Sequence, residues 1–417
     1  MHAHLRSVLP ADPNLTLINL RRKAVGRRIH TGGTRQHRFG GLLARDGHRH
    51  DQSEQPDLKS FEDACTHGRY VGEFSARHFS RPAKSGNLKP LSSPVNCEAL
   101  DWTVLDRLRQ GFLSGAAAKG PYWQSPADLA QYNLTYGERI GWKWDAVLRE
   151  LTRRGWRPRS RTLLDWGCGS GVAGRRVLTA FGPENFDALH VWDHSAFARD
   201  FTITQGKAAF PALAVGPFAD TGQPVGLLVI SHVLNELPAE ALQQLLGLIA
   251  RAETVLWVEP GNHAVSRQLI GLRETLTSTF HLVAPCPHQG ACGLLTVGNE
   301  HHWCHFFAEP PAGVQNDSDW VRFGQRAGVD LRSQAYSYLV LDRVESPSVD
   351  GASRILGRAE HFKGFARLLS CSADGVEELE LQKRADADLF KQLKKDASHP
   401  LYRWEREDHR IVGAKRV

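Results

Sequence analysis

A glycine-rich turn next to an acidic residue is the first feature of the sequence that points to chemistry. Gly167, Gly169 and Gly171 follow the apolar run TLLDW, and an amphipathic segment begins directly after them. Glycines let the backbone turn tightly and approach a ligand, because no Cβ atom stands in the way. A helix that starts after such a turn directs its free N–H groups toward that ligand. The segment therefore predicts a cofactor-binding turn between a strand, ending near Asp165, and a helix.

A second acidic residue makes the prediction more specific. Asp193 ends the next strand-like run, ALHVWD, 28 residues after Asp165. An acid at this position accepts hydrogen bonds from ribose hydroxyls, so a nicotinamide dinucleotide is the rival ligand. An acid before the first glycine, in the form D-x-G-x-G-x-G, resembles class I methyltransferases more than dinucleotide dehydrogenases. We therefore expect S-adenosylmethionine (SAM) as the cofactor.

The run GLLVISHVLNELP places Ser231 and His232 at the end of a further strand. Ligands bind at the carboxyl ends of strands in open α/β sheets, so we predict that both residues contact the cofactor. His232 is a candidate base, although a role in stabilising the turn or packing on the cofactor is favoured. The sequence has no Asn-Pro-Pro-aromatic element like that of amino-group methyltransferases, and no cysteine pair placed like that of 5-methylcytosine enzymes. No catalytic residue is assigned, and methyl transfer can proceed by positioning alone.

Four cysteines form a second candidate site. Cys286, Cys292 and Cys304 have the spacing C-x5-C-x11-C, and Cys371 follows after a long interval. Four thiolates suit a structural zinc ion or a [4Fe–4S] cluster. The first interval is longer than the C-x2-4-C of zinc knuckles, which favours an iron–sulfur cluster. Two alternatives remain. One is a zinc ion with nitrogen ligands from nearby histidines, which are His288, His301, His302 and His305. The other is a set of buried thiols without a metal.

These residues must be positioned by an α/β fold. The runs TLLDW, ALHVWD, GLLVISH and TVLWVEP alternate with helical segments such as AEALQQLLGLIAR, which predicts a parallel Rossmann-like sheet. Later strand-like runs are SYLVLDR, ARLLSC and EELELQ. The predicted organisation is a basic tail (1–94), a helical lead-in (95–156), a Rossmann-like cofactor domain (157–285), a metal loop (286–310) and a small β-rich C-terminal module with a basic tail (311–417).

The positive charge of the chain is concentrated at its beginning. Residues 1–94 contain 16 Lys and Arg against 8 Asp and Glu, whereas the whole chain has a net charge of +7. A basic segment with little apolar periodicity predicts disorder and is able to contact RNA phosphates. No apolar run approaches the roughly 20 residues needed to cross a bilayer. We therefore expect no membrane association and a cytoplasmic protein of a bacterium, with the mitochondrial matrix as the alternative.

Six motifs together resemble one known family: LLDWGCGSG, SHVLNEL, VEPGN, PCPHQGAC, HWCHF and SYLVLDR. It is the mitochondrial small-ribosomal-subunit assembly family of methyltransferase-like proteins, with its bacterial Rsm-type relatives, and the resemblance spans about residues 97 to 385. It implies a class I methyltransferase-like fold, a cluster held by Cys286, Cys292, Cys304 and Cys371, and association with small-subunit ribosomal RNA. The sequence differs from the family pattern at two places in the cysteine loop. The interval from Cys292 to Cys304 is longer than usual, and Gly293 stands where proline is common.

Three functions are compatible with these features. The first is a SAM-dependent methyltransferase that acts on small-subunit ribosomal RNA. The second is a non-catalytic assembly factor of the small subunit, in which SAM and the metal have structural roles. The third is a small-molecule methyltransferase, which requires that the basic tail and the C-terminal module be irrelevant to RNA.

Overall fold

A computed structural model describes residues 95–114, 122–346, 349, 351–395 and 401–417, and the predicted basic tail over residues 1–94 lies outside the described residues. The helices are α1 (Trp102–Leu113), α2 (Pro126–Tyr132), α3 (Glu138–Arg153), α4 (Val172–Phe181), α5 (Ala196–Ala209), α6 (Ala239–Ile249), α7 (His263–Leu276), α8 (Ser318–Ala327) and α9 (Ala387–Lys395). The strands are β1 (Thr162–Trp166), β2 (Ala188–Trp192), β3 (Ala214–Pro217), β4 (Val225–Ser231), β5 (Ala252–Pro260), β6 (His281–Ala284), β7 (Phe306–Ala308), β8 (Gln334–Asp342), β9 (Ser353–His361), β10 (Phe365–Ser372), β11 (Gly375–Gln382), β12 (Leu401–Glu407) and β13 (Arg410–Arg416). No helix in these residues is both long and apolar enough to cross a membrane.

The helical lead-in packs on the edge where the sheet strands end. α2 begins at Ser125, whose side chain accepts a hydrogen bond from the Asp128 N–H, and Pro126 occupies its first position. The helix continues through one π-helical turn, Asn133–Gly137, into α3. Because a π turn inserts an extra residue, it shifts which side chains face the sheet.

Eight strands form the main sheet. Its order is β3-β2-β1-β4-β5-β8-β6, and β7 pairs with β8. β1 to β5 are mutually parallel, whereas β8 is antiparallel to β5, β6 and β7. The central strands are near-continuous apolar runs because helices cover both faces. This topology confirms the predicted Rossmann-like methyltransferase fold, and the strand order reverses between β1 and β4, the position at which such sheets bind ligands.

The run SYLVLDR differs from its predicted location. We expected it in the C-terminal module, but it is β8 in the middle of the main sheet. Tyr338, Leu339, Val340 and Leu341 are all buried, so both faces of this strand are covered. A strand with two covered faces belongs inside a large sheet, whereas a strand of a small barrel has one exposed face.

The C-terminal module is a closed five-stranded barrel with the order β10-β11-β13-β12-β9, and α9 connects β11 to β12. Its core contains Ile355, Leu368, Leu379, Leu381 and Ile411. The basic stretch that the sequence predicts around Lys391 to Lys395 belongs to α9, and residues 401–416 after it form β12 and β13. About half of the residues in these two strands are apolar, and the charged side chains lie on the outer face of the barrel.

A buried ion pair joins the barrel to the main sheet. Arg354 of β9 is 1% exposed, and its guanidinium contacts both carboxylate oxygens of Glu150 on α3. Arg154 Nη2 lies 2.6 Å from Glu150 Oε1, and the Tyr338 hydroxyl donates to Glu150 Oε2 at 2.6 Å. Burial alone would raise the pKa of Glu150, but the two arginines outweigh it and lower this pKa to about 2.

Candidate functional site

The glycine turn after β1 has the backbone that only glycine adopts readily. The φ angles of Gly167, Gly169 and Gly171 are 69°, 51° and 71°. A Cβ atom on Gly167 would lie 2.7 Å from Val233 Cγ1, and one on Gly171 would collide with Thr202. A Cβ atom on Gly169 would meet nothing within 4 Å, because this residue borders an open cavity.

The two predicted carboxylates hold this turn in place. Asp165 is buried and accepts the Gly174 N–H at 3.0 Å, while its Oδ1 has no partner. Asp193 accepts the N–H groups of Gly169 and Ser195, both at 2.9 Å. Burial raises the pKa of Asp165 to about 7, and burial also raises the pKa of Asp193. Each oxygen of Asp193 has accepted one hydrogen bond and has capacity for another.

A cavity of about 630 Å³ lies above the carboxyl ends of β1, β2 and β4. Five of the seven predicted cofactor residues line it, and Asp165 and Gly171 lie behind them; the five are Gly167, Gly169, Asp193, Ser231 and His232. Trp166 and Trp192 stack in parallel beside it, with ring centroids 4.7 Å apart. The opposite wall comes from the helical lead-in, including Tyr122 and Tyr132. The cavity is therefore enclosed by the sheet edge and the lead-in.

His232 occupies a constrained position. Its φ angle is 58°, and its backbone N–H donates to the Val258 carbonyl at 2.8 Å. Ring atom Nδ1 is 3.1 Å from Ser231 Oγ, and Nε2 is 3.0 Å from Lys143 Nζ. Burial and the neighbouring Lys143 hold the pKa of His232 well below its usual value. Both ring nitrogens are already hydrogen-bonded, which favours the turn-stabilising role over that of a base.

Two further carboxyl groups, Glu236 and Glu259, have raised pKa values. The Glu236 side chain lines the cavity, and the Tyr122 hydroxyl donates to Glu236 Oε2 at 3.4 Å. Glu259 Oε1 accepts hydrogen bonds from Val233 N, Leu234 N and Trp257 Nε1, whereas Glu259 Oε2 has no partner. Burial, with Glu259 as the next contribution, raises the pKa of Glu236 to about 8, and burial raises that of Glu259 to about 7. A cation bound in the cavity would therefore stabilise the ionised form of Glu236.

Arg139 and Lys143 line the cavity, and the sequence analysis did not identify them. Burial and Arg139 lower the pKa of Lys143 to about 7. A signal was present in the sequence, because Tyr132, Tyr136, Arg139 and Lys143 recur at intervals of three or four residues along one helical face. Closely spaced aromatic residues such as these usually pack in a core or between helices. Here Trp142 and Trp144 are fully buried, whereas Tyr132 and Tyr136 line the cavity.

The four predicted metal ligands come together at a second place. Cys286, Cys292, Cys304 and Cys371 line one cavity between α7, β8 and the barrel. Arg273 and Arg354 line it too, and its other lining is mainly apolar. Burial and the neighbouring thiols raise the pKa of Cys304 and of Cys371, the latter to about 12. Of the four histidines considered as alternative ligands, His288 lines the cavity, with Nε2 at 3.9 Å from Cys371 Sγ.

Side chains of α7 hold the cysteine loop. Arg267 Nη1 donates to the carbonyls of Leu294, Asn299 and His302, at 2.6, 3.2 and 3.3 Å. Arg273 donates to the Gly290 carbonyl at 2.6 Å. Gly293 lies against the β10–β11 hairpin, and a Cβ atom there would be 2.8 Å from Val376 N. The glycine at this position therefore allows the loop to approach the hairpin that follows Cys371.

Among the described residues, no group of three or more His, Cys, Asp or Glu side chains is arranged as a metal site. The structure places the four thiols around one cavity and assigns no metal to them.

Comparison with protein families identifies one that covers most of the described chain. Residues 146–399, more than half of the chain, match the family model described as "Mitochondrial small ribosomal subunit Rsm22". No curated protein matches the chain significantly.

Solved structures are similar over about half of the chain. The plantazolicin methyltransferase BamL, in complex with a triazolic substrate analogue and SAH, has a TM-score of 0.32 at 10% identity and covers 58% of this chain and 98% of its own. The 16S rRNA methylase RmtB has a TM-score of 0.28 at 14% identity, with coverage of 44% and 70%. An rRNA methylase from Escherichia coli gives 0.28 at 14%, with coverage of 45% and 72%. We infer no activity from structures at these TM-scores.

Proposed function

Because this chain belongs to the mitochondrial small ribosomal subunit Rsm22 family, we propose that it binds SAM and methylates RNA of the small ribosomal subunit. The observation that carries the proposal is the 630 Å³ cavity at the carboxyl ends of β1, β2 and β4, with Asp193 and Glu236 in its wall. The small subunit and its RNA are the proposed partners. The compartment, bacterial cytoplasm or mitochondrial matrix, stays a prediction.

The charges around this cavity are compatible with SAM, which carries a positive sulfonium, a positive ammonium and a negative carboxylate group. Asp193 and Glu236 line the cavity and offer oxygen atoms to the positive groups. Arg139 and Lys143 also line it and suit the carboxylate. The acid before the first glycine, Asp165, is the feature that favours SAM over a nicotinamide dinucleotide.

The residues of the cavity have positioning roles in this proposal. SAM supplies an electrophilic methyl group when it is bound. Asp193 accepts hydrogen bonds from ribose hydroxyls, and Gly169 leaves room for the cofactor beside the turn. Ser231 and His232 hold the end of β4 through their mutual contact and through Lys143. No side chain is assigned to proton removal, and alignment of the acceptor atom with the methyl group supplies the rate enhancement.

SAM binding tests the cofactor assignment directly. In isothermal titration calorimetry we expect wild-type protein to bind SAM, and Asp193→Ala to weaken binding by about 1 to 3 kcal/mol through lost ribose hydrogen bonds. Asp187→Ala is the matched control, because Asp187 is an exposed carboxylate that precedes the same strand and pairs with Arg161. Its affinity should equal that of wild type. Binding of a nicotinamide dinucleotide in place of SAM would show that the cofactor assignment is wrong.

Methyl transfer is tested on the RNA itself. Mass spectrometry of small-subunit ribosomal RNA, from cells with and without the protein, should show one methyl group lost. Restoration by wild type and not by Asp193→Ala would link the modification to this cavity. A complete set of methyl groups together with defective subunits would select the second candidate, a non-catalytic assembly factor. His232, whose ring nitrogens are both hydrogen-bonded within the protein, removes no proton in either candidate.

We propose further that the four cysteines bind a [4Fe–4S] cluster, with zinc as the alternative. Their side chains share one cavity, and Arg273 and Arg354 offset the charge that four thiolates bring into it. The apolar lining limits access of water to such a centre. Cys371 comes from the barrel while the other three come from the loop, so the cluster would fasten the barrel to the Rossmann-like sheet.

A further inference from the structure

The barrel topology resembles that of oligonucleotide-binding barrels. Five strands close in the order β9-β10-β11-β13-β12, β11 and β13 are parallel, and a helix connects the third strand to the fourth. Greek-key barrels of this type bind oligonucleotides across their second and third strands and through the loops between strands 1–2 and 4–5. The corresponding elements here are β10, β11, the 362–364 turn and the 408–409 turn.

These elements meet at one end of the barrel. The Lys383 N–H, just after β11, donates to the Gly364 carbonyl at 2.9 Å. The Glu380 N–H donates to the His409 carbonyl at 3.0 Å. We name the surface formed by residues 362–365, 383–384 and 408–410 the barrel tip; its one acidic residue, Asp408, lies beside His409, with Oδ2 3.2 Å from Nδ1. Both loops and the ends of β10 and β11 therefore contribute to one continuous surface.

An exposed aromatic pair marks the barrel tip. Phe362 is 42% exposed, and its ring stacks on that of Phe365 with centroids 4.5 Å apart and planes 14° apart. Phe362 lies in a turn and adds nothing to the barrel core. The Arg367 guanidinium also lies over the Phe362 ring, 5.6 Å from its centroid, and it would share the exposed part of this ring with a stacked nucleic-acid base.

Cations without ion pairs surround this stack. Arg406 is paired with Glu377, and the half-buried Arg367, whose guanidinium lies over Phe362, is paired with Glu378. Lys363, Lys383, Arg384 and Arg410 are exposed, and in the described part of the chain none of these four has an ion pair. Positive side chains around an exposed aromatic group are the combination with which proteins bind single-stranded nucleic acids.

We propose that the barrel tip binds single-stranded RNA, with a base stacked on Phe362 and phosphates held by the surrounding cations. Base faces are available for stacking in single strands and not in duplexes, so a single strand is the expected form. The inference rests on the proposed function for RNA as the partner, and it is independent of SAM and of methyl transfer. It assigns RNA contact to a surface separate from the cofactor cavity.

Fluorescence anisotropy with full-length protein and a labelled oligouridine of about 12 nucleotides tests the inference. We expect Phe362→Ala to weaken binding roughly tenfold. Lys363→Ala/Lys383→Ala should reduce the slope of log affinity against log salt by about 1.4, since each lost phosphate contact removes roughly 0.7. Lys391→Ala/Lys394→Ala, which removes two exposed lysines from α9 of the same barrel, is the matched control and should change the slope little.

Ultraviolet crosslinking of the same complexes, followed by peptide mass spectrometry, locates the contact. Crosslinks at Phe362 or Phe365 would support the inference. Crosslinks confined to residues 1–94, with unchanged affinity of Phe362→Ala, would overturn it. Equal affinity for a duplex of the same length, or stronger binding to polyglutamate than to RNA, would also overturn it. SAM titrations of the same variants should be unchanged, which separates a failure here from a failure of the cofactor assignment.

Discussion

We expect Glu150→Ala to lower the free energy of unfolding at neutral pH by about 3 to 5 kcal/mol, the cost of removing one partner from a buried ion pair. The large effect arises because Arg354 is 1% exposed and would lose its carboxylate partner. The Tyr338 hydroxyl would also lose its acceptor. The affected contact joins α3 to β9, so the barrel should separate from the main sheet more readily.

The effect of this substitution should depend on pH in a defined direction. The pKa of Glu150 is lowered to about 2 from an ordinary value of 4.5. A carboxyl group with a lowered folded-state pKa stabilises the protein above its unfolded-state pKa and loses that contribution as pH falls through the folded-state value. The difference between wild type and Glu150→Gln should therefore be constant above about pH 5 and shrink between roughly pH 4.5 and 2.

Urea unfolding of wild type and both variants, at pH 7 and at pH 3, checks these expectations. Asp187→Ala is the control, because Asp187 and its partner Arg161 are both exposed, with side-chain exposures of 63% and 54%. Its unfolding midpoint should equal that of wild type. Equal stability of Glu150→Ala and wild type at pH 7, or a difference that persists unchanged at acidic pH, would contradict the assigned role of the pair.

Sequence analysis predicted the features that depend on residues close together in the chain. A strand, a glycine turn and a helix follow one another within residues 162–181, so their spacing alone indicates the turn that the structure contains. The central strands are recognisable because burial on both faces requires continuous apolar runs such as that of β4. The fold class followed from these elements.

The missed features depend on contacts between distant segments. β12 and β13 have few buried residues, chiefly Leu401, Tyr402 and Ile411, so their sequences resemble a charged tail. β12 and β13 form an antiparallel hairpin, and β13 joins the barrel by pairing with β11, about 30 residues earlier, which leaves no local signal. Lys143 likewise belongs to the cavity only because α3 packs over the end of β4, where it contacts His232.

The cysteine site gives the second large effect, because metal binding is coupled to folding. Anaerobically purified protein should have the broad brown absorbance of an iron–sulfur centre and about four irons per chain. Cys371→Ser should lose most of this iron. Since Cys371 is the proposed ligand from the barrel, its loss should also make residues 353–417 more sensitive to protease, as the proposed cluster would no longer join the barrel to the loop over residues 286–304.

Two other cysteines provide matched controls for this experiment. Cys97 is partly exposed and does not line the cysteine cavity, and Cys65 lies outside the described residues. Cys97→Ser and Cys65→Ser should keep the iron content and protease resistance of wild type. A colourless protein with one tightly bound zinc would replace the cluster with a zinc site. Full iron retention in Cys371→Ser would show that the barrel is not fastened by a shared metal centre, because three loop cysteines would then suffice.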